Sequence, residues 1–307
     1  MEKFKTQLKT WIEIGRPFSW TASIVPVCLG GAIAFRDEQF SLTIFLLALL
    51  ASILLQAGTN VINEVFDVRS GVDTYDSPRA SRTIVEKRLD SAVAYRGGVI
   101  IFLAAALIGI YLTYERGYAI LLIGIVAILI GYTYTAPPIQ FKYRALGVPV
   151  VFWTMGPLMV LSAYYVLAQS LTWEAFLASI PVGFLVASIL HANDVRDIED
   201  DARAGFRTLA LATGRNAGAI LHLTMMGASF AMVIVLAALV ILPLWALITL
   251  IALPPTFQAT LAMIRGGVGP EADPVKYLPR IDEATAKVHL LFGLLLSISY
   301  VVSGFSS

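Results

Sequence analysis

Apolar residues run along this chain in long blocks separated by shorter polar ones. Nine blocks approach the length of a membrane crossing, at roughly 18–35, 42–63, 92–113, 118–135, 148–168, 174–193, 216–239, 241–263 and 286–304. A helix needs about 20 mostly apolar residues to traverse the hydrocarbon layer, and lipid offers no partner to an unpaired backbone group. Each block is therefore predicted as a helix. The blocks are too long, and alternate too little, for barrel strands. Only Leu242-Pro243 separates the seventh from the eighth. Pro137-Pro138 must end the fourth, because the second ring removes a backbone donor and the residue before a proline avoids helical geometry. The pattern predicts an all-α integral membrane protein of nine transmembrane helices, as one domain over 1–307.

Charge placement gives this map a direction. Of the 22 Lys and Arg residues, 20 fall in the N-terminal segment or near the loops at 64–91, 136–147, 194–215 and 264–285. Arg36 and Arg116 alone fall on the other side. Basic residues accumulate on the cytoplasmic face, so the N-terminus is expected in the cytoplasm of a cell (inner) membrane and the C-terminus across it. Composition agrees: 58% of residues are hydrophobic and 14% charged, against about 25% charged in soluble domains. A net charge of +1 excludes a nucleic-acid binder with a basic face, and the hydropathy excludes a disordered chain or an ordinary soluble enzyme. The lone Cys28 excludes a disulfide framework and a multi-cysteine metal site. No cleavable signal pattern is seen ahead of the first block.

Two acidic clusters stand at the cytoplasmic ends of blocks. In NVINEVFDVRSGVDT, Asn60, Asn63, Glu64 and Asp67 have offsets that form one stripe on a helix, and Ser70-Gly71 should break it so that Asp73 folds back. In HANDVRDIEDDARAGFRT, Asn193, Asp194, Asp197 and Asp201 form a second stripe, which Gly205 should close. A single Asp pair in a loop is ordinarily solvated surface, and Glu86, Asp90, Glu199 and Asp200 are read that way. Two clusters at the mouths of apolar helices, each pairing Asn with acids, ask for a counter-charge. A hard divalent cation supplies one: Mg²⁺ prefers oxygen donors and shares its shell with substrate phosphates. The four-span offset between clusters suggests two related halves, about 1–147 and 148–307, facing a central cavity open to the cytoplasm.

A diphosphate also needs cations. Arg79 and Arg82 follow the first cluster, and Lys142 and Arg144 lie in the loop after the fourth block. Each is weighed against a plain positive-inside anchor, which is preferred for Lys87, Arg88 and Arg96. Arg16, just before Pro17, is either an anchor or a substrate contact. Tyr132 and Tyr134 suit an interfacial belt, or a ring face that steadies a carbocation. Gly30-Gly31 fits close helix packing. His191, His222 and His289 are too dispersed for a three-histidine site, and no GxxxxGK[ST] phosphate loop is present.

Asn63-Glu64-Val65-Phe66-Asp67 with Asp73 resembles the NDxxD…D motif of the UbiA superfamily of intramembrane prenyltransferases. DIEDD, from Asp197 to Asp201, resembles its second DxxxD motif, and the YTxPPxxxKxRxLG segment and nine spans also match. The spacing from Asp67 to Asp73, with RDIEDDARAGFRTLA and DEATAKVHLLFGLLL, resembles the 1,4-dihydroxy-2-naphthoate branch of menaquinone synthesis. Glu64 departs from the usual Asp, and Val148 and Ala145 depart in the loop. The resemblance implies Mg²⁺ held by Asn63, Glu64, Asp67, Asp197 and Asp201, with Asp67, Asp73, Asp194, Asp197 and Asp201 catalytic. It implies a polyprenyl diphosphate met by Arg79, Arg82 and Lys142, with Asn60, Arg16, Tyr134 and Arg144 as further substrate contacts. The other partners would be an aromatic acceptor, with loss of carbon dioxide if it is dihydroxynaphthoate, and the lipid bilayer, which receives the tail. Other acceptors (homogentisate, 4-hydroxybenzoate, a chlorin or haem) remain open. A CDP-alcohol phosphotransferase lacks its DGxxAR signature here, and a cation-coupled transporter would place charges at mid-membrane.

Overall fold

The computed structural model describes residues 2–71, 73–74 and 82–305, and of residues 2–4 and 82 the backbone alone. Among the described residues every extended element is a helix. An N-terminal helix α1 (Glu2–Ile14) is followed by α2 (Thr21–Arg36), α3 (Leu42–Arg69), the short α4 (Arg82–Val85), α5 (Ser91–Arg116) and α6 (Tyr118–Thr133). Then come α7 (Gly147–Trp153), α8 (Met159–Ala168), α9 (Trp173–Arg196), α10 (Ile198–Arg203), α11 (Leu209–Thr213), α12 (Arg215–Ala238), α13 (Leu253–Gly267), α14 (Pro274–Tyr277) and α15 (Ile281–Gly304).

Among the described residues, eight helical stretches are long and apolar enough to cross a membrane: Pro17–Arg36, Leu42–Arg69, Ser91–Arg116, Gly147–Ala168, Trp173–Arg196, Arg215–Ala238, Leu244–Gly267 and Ile281–Gly304. The block at 118–135 forms the shorter α6, 16 residues long, or about 24 Å of helix. It starts directly after Gly117, which turns the chain at φ 91°, and it ends ahead of Pro137-Pro138. Two spans are not uniform. A π-turn over Thr154–Leu158 joins α7 to α8 around Pro157, and a 3-10 stretch over Leu244–Ala252 leads into α13. Helix α1 has no counterpart in the block pattern. Its Ile14 is buried while Leu8 and Ile12 are half exposed, so it is amphipathic rather than spanning.

The spans close into a ring in which α15 packs against α2 and α9. Small residues set the closest approaches. A Cβ on Gly30 would lie 2.6 Å from the Val160 carbonyl oxygen and 2.8 Å from the Tyr164 nitrogen, so α2 and α8 touch backbone to backbone there. A Cβ on Gly31 would stand 2.7 Å from the Phe45 ring, so there a side chain packs against the bare backbone of α2. A Cβ on Gly156 would stand 2.5 Å from the Gly183 Cα, which seats the π-turn on α9. Between helices whose exteriors are as apolar as the lipid, such contacts supply the packing energy that water would otherwise drive.

Candidate active site

The ring encloses a cavity of about 940 Å³. At one end stand the C-termini of α3 and α9, the N-terminus of α15 and the loop after α6. These bring Asn63, Asp67 and Asp73 into one wall with Asn193, Asp194, Asp197, Asp201 and Lys142. The rest is mostly apolar: Ala51 and Leu55 of α3, Ala105 and Gly109 of α5, Ile128 of α6, and Met159 and Ala163 of α8 line it, with a few hydroxyls and the amide of Gln56 among them.

Asp67 is the centre of the first cluster. Its side chain is 3% exposed, and Lys142 Nζ donates to both carboxylate oxygens at 2.8 Å. The Tyr143 hydroxyl donates to Oδ1 at 2.5 Å. Helix α3 ends at Arg69, Gly71 takes φ 77°, and the Asp73 N–H returns to the Asp67 carbonyl at 3.2 Å. Asp73 therefore lies beside Asp67. Burial first, and the Asp67 charge second, push the Asp73 carboxyl up to about 6. Asn63 lines the cavity and accepts from Thr135 Oγ1 at 2.8 Å. Asn60 spends its amide on the chain, donating to the Gly15 carbonyl at 2.9 Å and to Ser19 Oγ at 2.8 Å. It thereby holds the turn that carries Arg16, a residue in left-handed geometry at φ 48° facing the cavity. Left-handed backbone costs a non-glycine residue roughly 1–2 kcal/mol, so this arginine is placed against local preference.

The second cluster is bent where one continuous helix was expected. Helix α9 stops at Arg196, Asp197 caps it at φ −99°, and α10 runs from Ile198 until Gly205 turns at φ 76°. The corner is pinned from outside by Arg215, whose Nη1 donates to the Val195 carbonyl at 2.6 Å. Asp201 then stands one turn beyond Asp197, its N–H donating to the Asp197 carbonyl at 2.9 Å. Burial is the main cause that raises the Asp201 carboxyl to about 6; Lys142 opposes it, and Asp197 and Asp67 add to it. The clusters from the two ends of the sequence thus act on one another. The loops that carry them are joined too: the Ala145 N–H donates to the Arg207 carbonyl at 2.6 Å, and the Tyr143 ring lies 4.1 Å from that of Phe206.

Several expected residues sit elsewhere or differently. Glu64 is fully buried but outside the cavity, and its Oε1 accepts from the Ile84 N–H at 3.3 Å. One residue along from Asn63 is roughly 100° around the helix, which turns Glu64 toward α4. Arg144 is also outside: its Nη2 donates to the Pro138 carbonyl at 3.2 Å, because the loop bends its side chain back on itself. Lys142 is in the cavity but on Asp67. Burial lowers its tendency to hold a proton, yet the Asp67 carboxylate outweighs this and raises its pKa. Tyr134 lines the cavity with a buried hydroxyl that has no hydrogen-bond partner among the described residues, whereas Tyr132 turns outward to Tyr95 at 3.2 Å. Arg79 lies outside the described residues, and Arg82 opens α4 with its side chain undescribed.

Sequence reasoning passed over Arg196, Tyr143, Asp200 and Asp282. Asp200, read as solvated, lines the cavity and pairs with Arg203. Arg196 bridges Asp197 and Asp282. The signal that points to Asp282 was an acid opening the last apolar block.

Three comparisons bear on this site. A model of the UbiA prenyltransferase family matches residues 23–271. The chain is 31% identical, over 95% of its length and 92% of the relative's, to the 1,4-dihydroxy-2-naphthoate octaprenyltransferase of Bacillus subtilis. It is 29% identical, over 96% and 94%, to the 2-carboxy-1,4-naphthoquinone phytyltransferase of Synechocystis. Its backbone matches a UbiA homolog from Archaeoglobus fulgidus bound to GPP and Mg²⁺ with a TM-score of 0.62, at 18% identity over 97% of this chain and 98% of that one. The helical ring, the paired acidic clusters and a family match over most of the length agree: the chain belongs to the UbiA prenyltransferase family and is a membrane-embedded prenyltransferase.

Proposed function

We propose that this enzyme transfers a polyprenyl group from an isoprenoid diphosphate to 1,4-dihydroxy-2-naphthoate, with loss of the acceptor's carboxyl group, in menaquinone synthesis. One observation carries the reading of the site: two acidic clusters and a lysine crown a cavity whose remaining wall is mostly apolar. The names of the naphthoate relatives support the acceptor. The placement of basic residues supports a cytoplasmic mouth in the cell membrane.

The donor set suits Mg²⁺. Among the described residues no three acidic, histidine or cysteine side chains converge on one point, so no all-protein cage is built. Mg²⁺ does not need one, because it keeps several waters and takes phosphate oxygens from the substrate. Asn63, Asp67, Asp197 and Asp201 supply hard oxygens, and the buried Asn193 Oδ1 has no hydrogen-bond partner among the described residues. When bound, the metal would neutralise charge on the departing diphosphate.

The protein's own residues do the rest. Lys142, held on Asp67 in this structure, turns to the phosphate oxygens, since a positioned cation stabilises most where negative charge grows. Arg16 adds a second cation at the cavity wall, and Arg79 and Arg82 are expected to take the remaining phosphate charge. The apolar wall keeps water from the allylic cation once the C–O bond has broken. The unpartnered Tyr134 faces the same space, with an electron-rich ring to steady the cation. The ring carbon that bears the carboxyl group then forms the new C–C bond as a hydroxyl proton passes to a carboxylate. The resulting β-keto carboxylate loses carbon dioxide, the electron pair of the broken C–C bond restores the aromatic ring, and the oxygen takes the proton back. Asp73, held at about 6, is matched to that task near neutral pH, with Asp194 the second candidate. The tail leaves sideways between helices into lipid.

The test is incubation of membranes with a labelled prenyl diphosphate and a panel of aromatic acceptors, followed by lipid extraction and mass analysis. A decarboxylated, prenylated naphthoquinol is the expected product. Transfer to a benzenoid or tetrapyrrole acceptor instead would replace the acceptor assignment. Chelation by EDTA should stop the reaction and added Mg²⁺ restore it.

A pH dependence follows. Asp201 has its carboxyl raised to about 6, so a proton occupies it below that pH and must leave before a cation binds. Half-saturating Mg²⁺ should therefore rise as pH falls through 6. Between pH 7.5 and 5.5 the expected rise is about fourfold. A flat Mg²⁺ requirement over that range would remove Asp201 from the binding step.

A further inference from the structure

We propose that Asp282 is a positioning residue for Asp197, acting through Arg196, and so tunes how tightly the site takes up its divalent cation. This rests on the reading of Asp197 as a metal-binding carboxylate.

The geometry is a three-armed clamp. Arg196 Nε donates to Asp197 Oδ1 at 2.8 Å and Nη2 to Oδ2 at 2.7 Å. Its third arm, Nη1, stands 2.7 Å from Asp282 Oδ1. Arg196 is the last residue of α9 and Asp282 lies in the first turn of α15, so the clamp ties two helices that meet at the cavity mouth. All three residues line the cavity.

A bland account is available: a cation at a helix C-terminus and an acid at a helix N-terminus each complement the helix dipole. Burial argues against it. Asp282 is 7% exposed, and the side chain of Arg196 is 11% exposed. Taking an ion pair out of water costs about as much as the attraction returns, so a buried pair is a poor source of stability. It is a good source of geometry. An arginine held only by its sequence neighbour would sample many rotamers, at roughly 2 kcal/mol of side-chain freedom. Anchored on Asp282, the guanidinium plane is fixed, and with it the carboxylate plane of Asp197. An ionised carboxylate has about four lone-pair directions. The bidentate arginine holds both oxygens and so sets the direction in which the carboxylate is presented to a cation. The second acid also offsets the charge of Arg196, which would otherwise repel that cation. Outer partners of metal-binding carboxylates act in this way, and their loss typically weakens metal affinity roughly 10- to 100-fold.

The experiment measures Mg²⁺-dependent binding of a thio-analogue of geranyl diphosphate that does not ionise, by thermal stabilisation of the full chain in detergent, beside turnover. In Asp282→Asn the half-saturating Mg²⁺ is expected to rise by roughly tenfold, with kcat at saturating Mg²⁺ falling by less. Arg196→Gln should give a similar shift. The double variant should be no worse than the larger single effect, because residues acting through one contact do not add. Asp282→Glu, which keeps the charge but moves it, should give a smaller shift and covers the case in which the asparagine variant fails to fold. An unchanged Mg²⁺ requirement in both Asp282 variants, or additive effects in the double variant, would overturn the proposal. Absence of any Mg²⁺ dependence in the unaltered enzyme would instead overturn the metal reading on which it rests.

Discussion

Asp67→Asn is expected to lower turnover by about 10³-fold or more, a loss of roughly 4 kcal/mol of transition-state stabilisation. The asparagine keeps the shape of the side chain and removes the charge that a cation would meet. It also removes the partner of Lys142, which now donates to both Asp67 oxygens at 2.8 Å. Breaking a buried pair by deleting one partner costs about 3–5 kcal/mol of stability, so loss of activity alone would not separate chemistry from unfolding. A companion variant does. Asp67→Asn with Lys142→Met has no orphaned charge, and it should recover much of the melting temperature while staying inactive. Asp197→Asn should show the same inactivity from the other cluster. Wild-type turnover in either single variant would remove the assignment of these carboxylates to the reaction.

Gly30→Leu should prevent accumulation of folded enzyme. The obstacle is backbone, the Val160 carbonyl and the Tyr164 nitrogen, and neither can swing aside as a side chain would. Overpacking costs about 1–3 kcal/mol where neighbours can relax, and more is expected where two helices must part. Gly227→Leu on α12 is the control, since nothing lies within 4 Å of a Cβ there. It should insert and fold as the unaltered chain does, judged by size exclusion in detergent. Equal yields of the two variants would show that α2 and α8 do not need their close approach.

The sequence made the membrane-crossing helices legible because lipid punishes every unpaired backbone group, which leaves only long apolar helices to read. It showed most of the site for a related reason. Acids at the ends of apolar runs are rare, so Asp67, Asp73, Asp194, Asp197 and Asp201 stood out, and all five line one cavity. It missed α1, whose exposed polar residues hide the apolar face around Ile14. It placed Glu64 on the stripe of Asn63 and Asp67, and Arg144 in the loop at the mouth, yet the angular step of the helix and the bend of the loop turn both away. Arg196 and Asp282 escaped notice because they are separated by more than eighty residues and each alone looks like an ordinary helix-end charge.

What the chain by itself determined was the inventory: which apolar stretches form helices, which end of each carries charge, and that two oxygen-rich segments crowd like charges at those ends. These follow from burial and from like-charge repulsion, which are readable one segment at a time. The tertiary structure alone decided which charges meet. Lys142 on Asp67, the corner at Asp197 and the clamp of Arg196 on Asp282 depend on helix rotation and on contacts between distant loops. Those are set by packing at small residues such as Gly30 and Gly156, where the energy lies in the fit of one surface to another and no single stretch of sequence contains both surfaces.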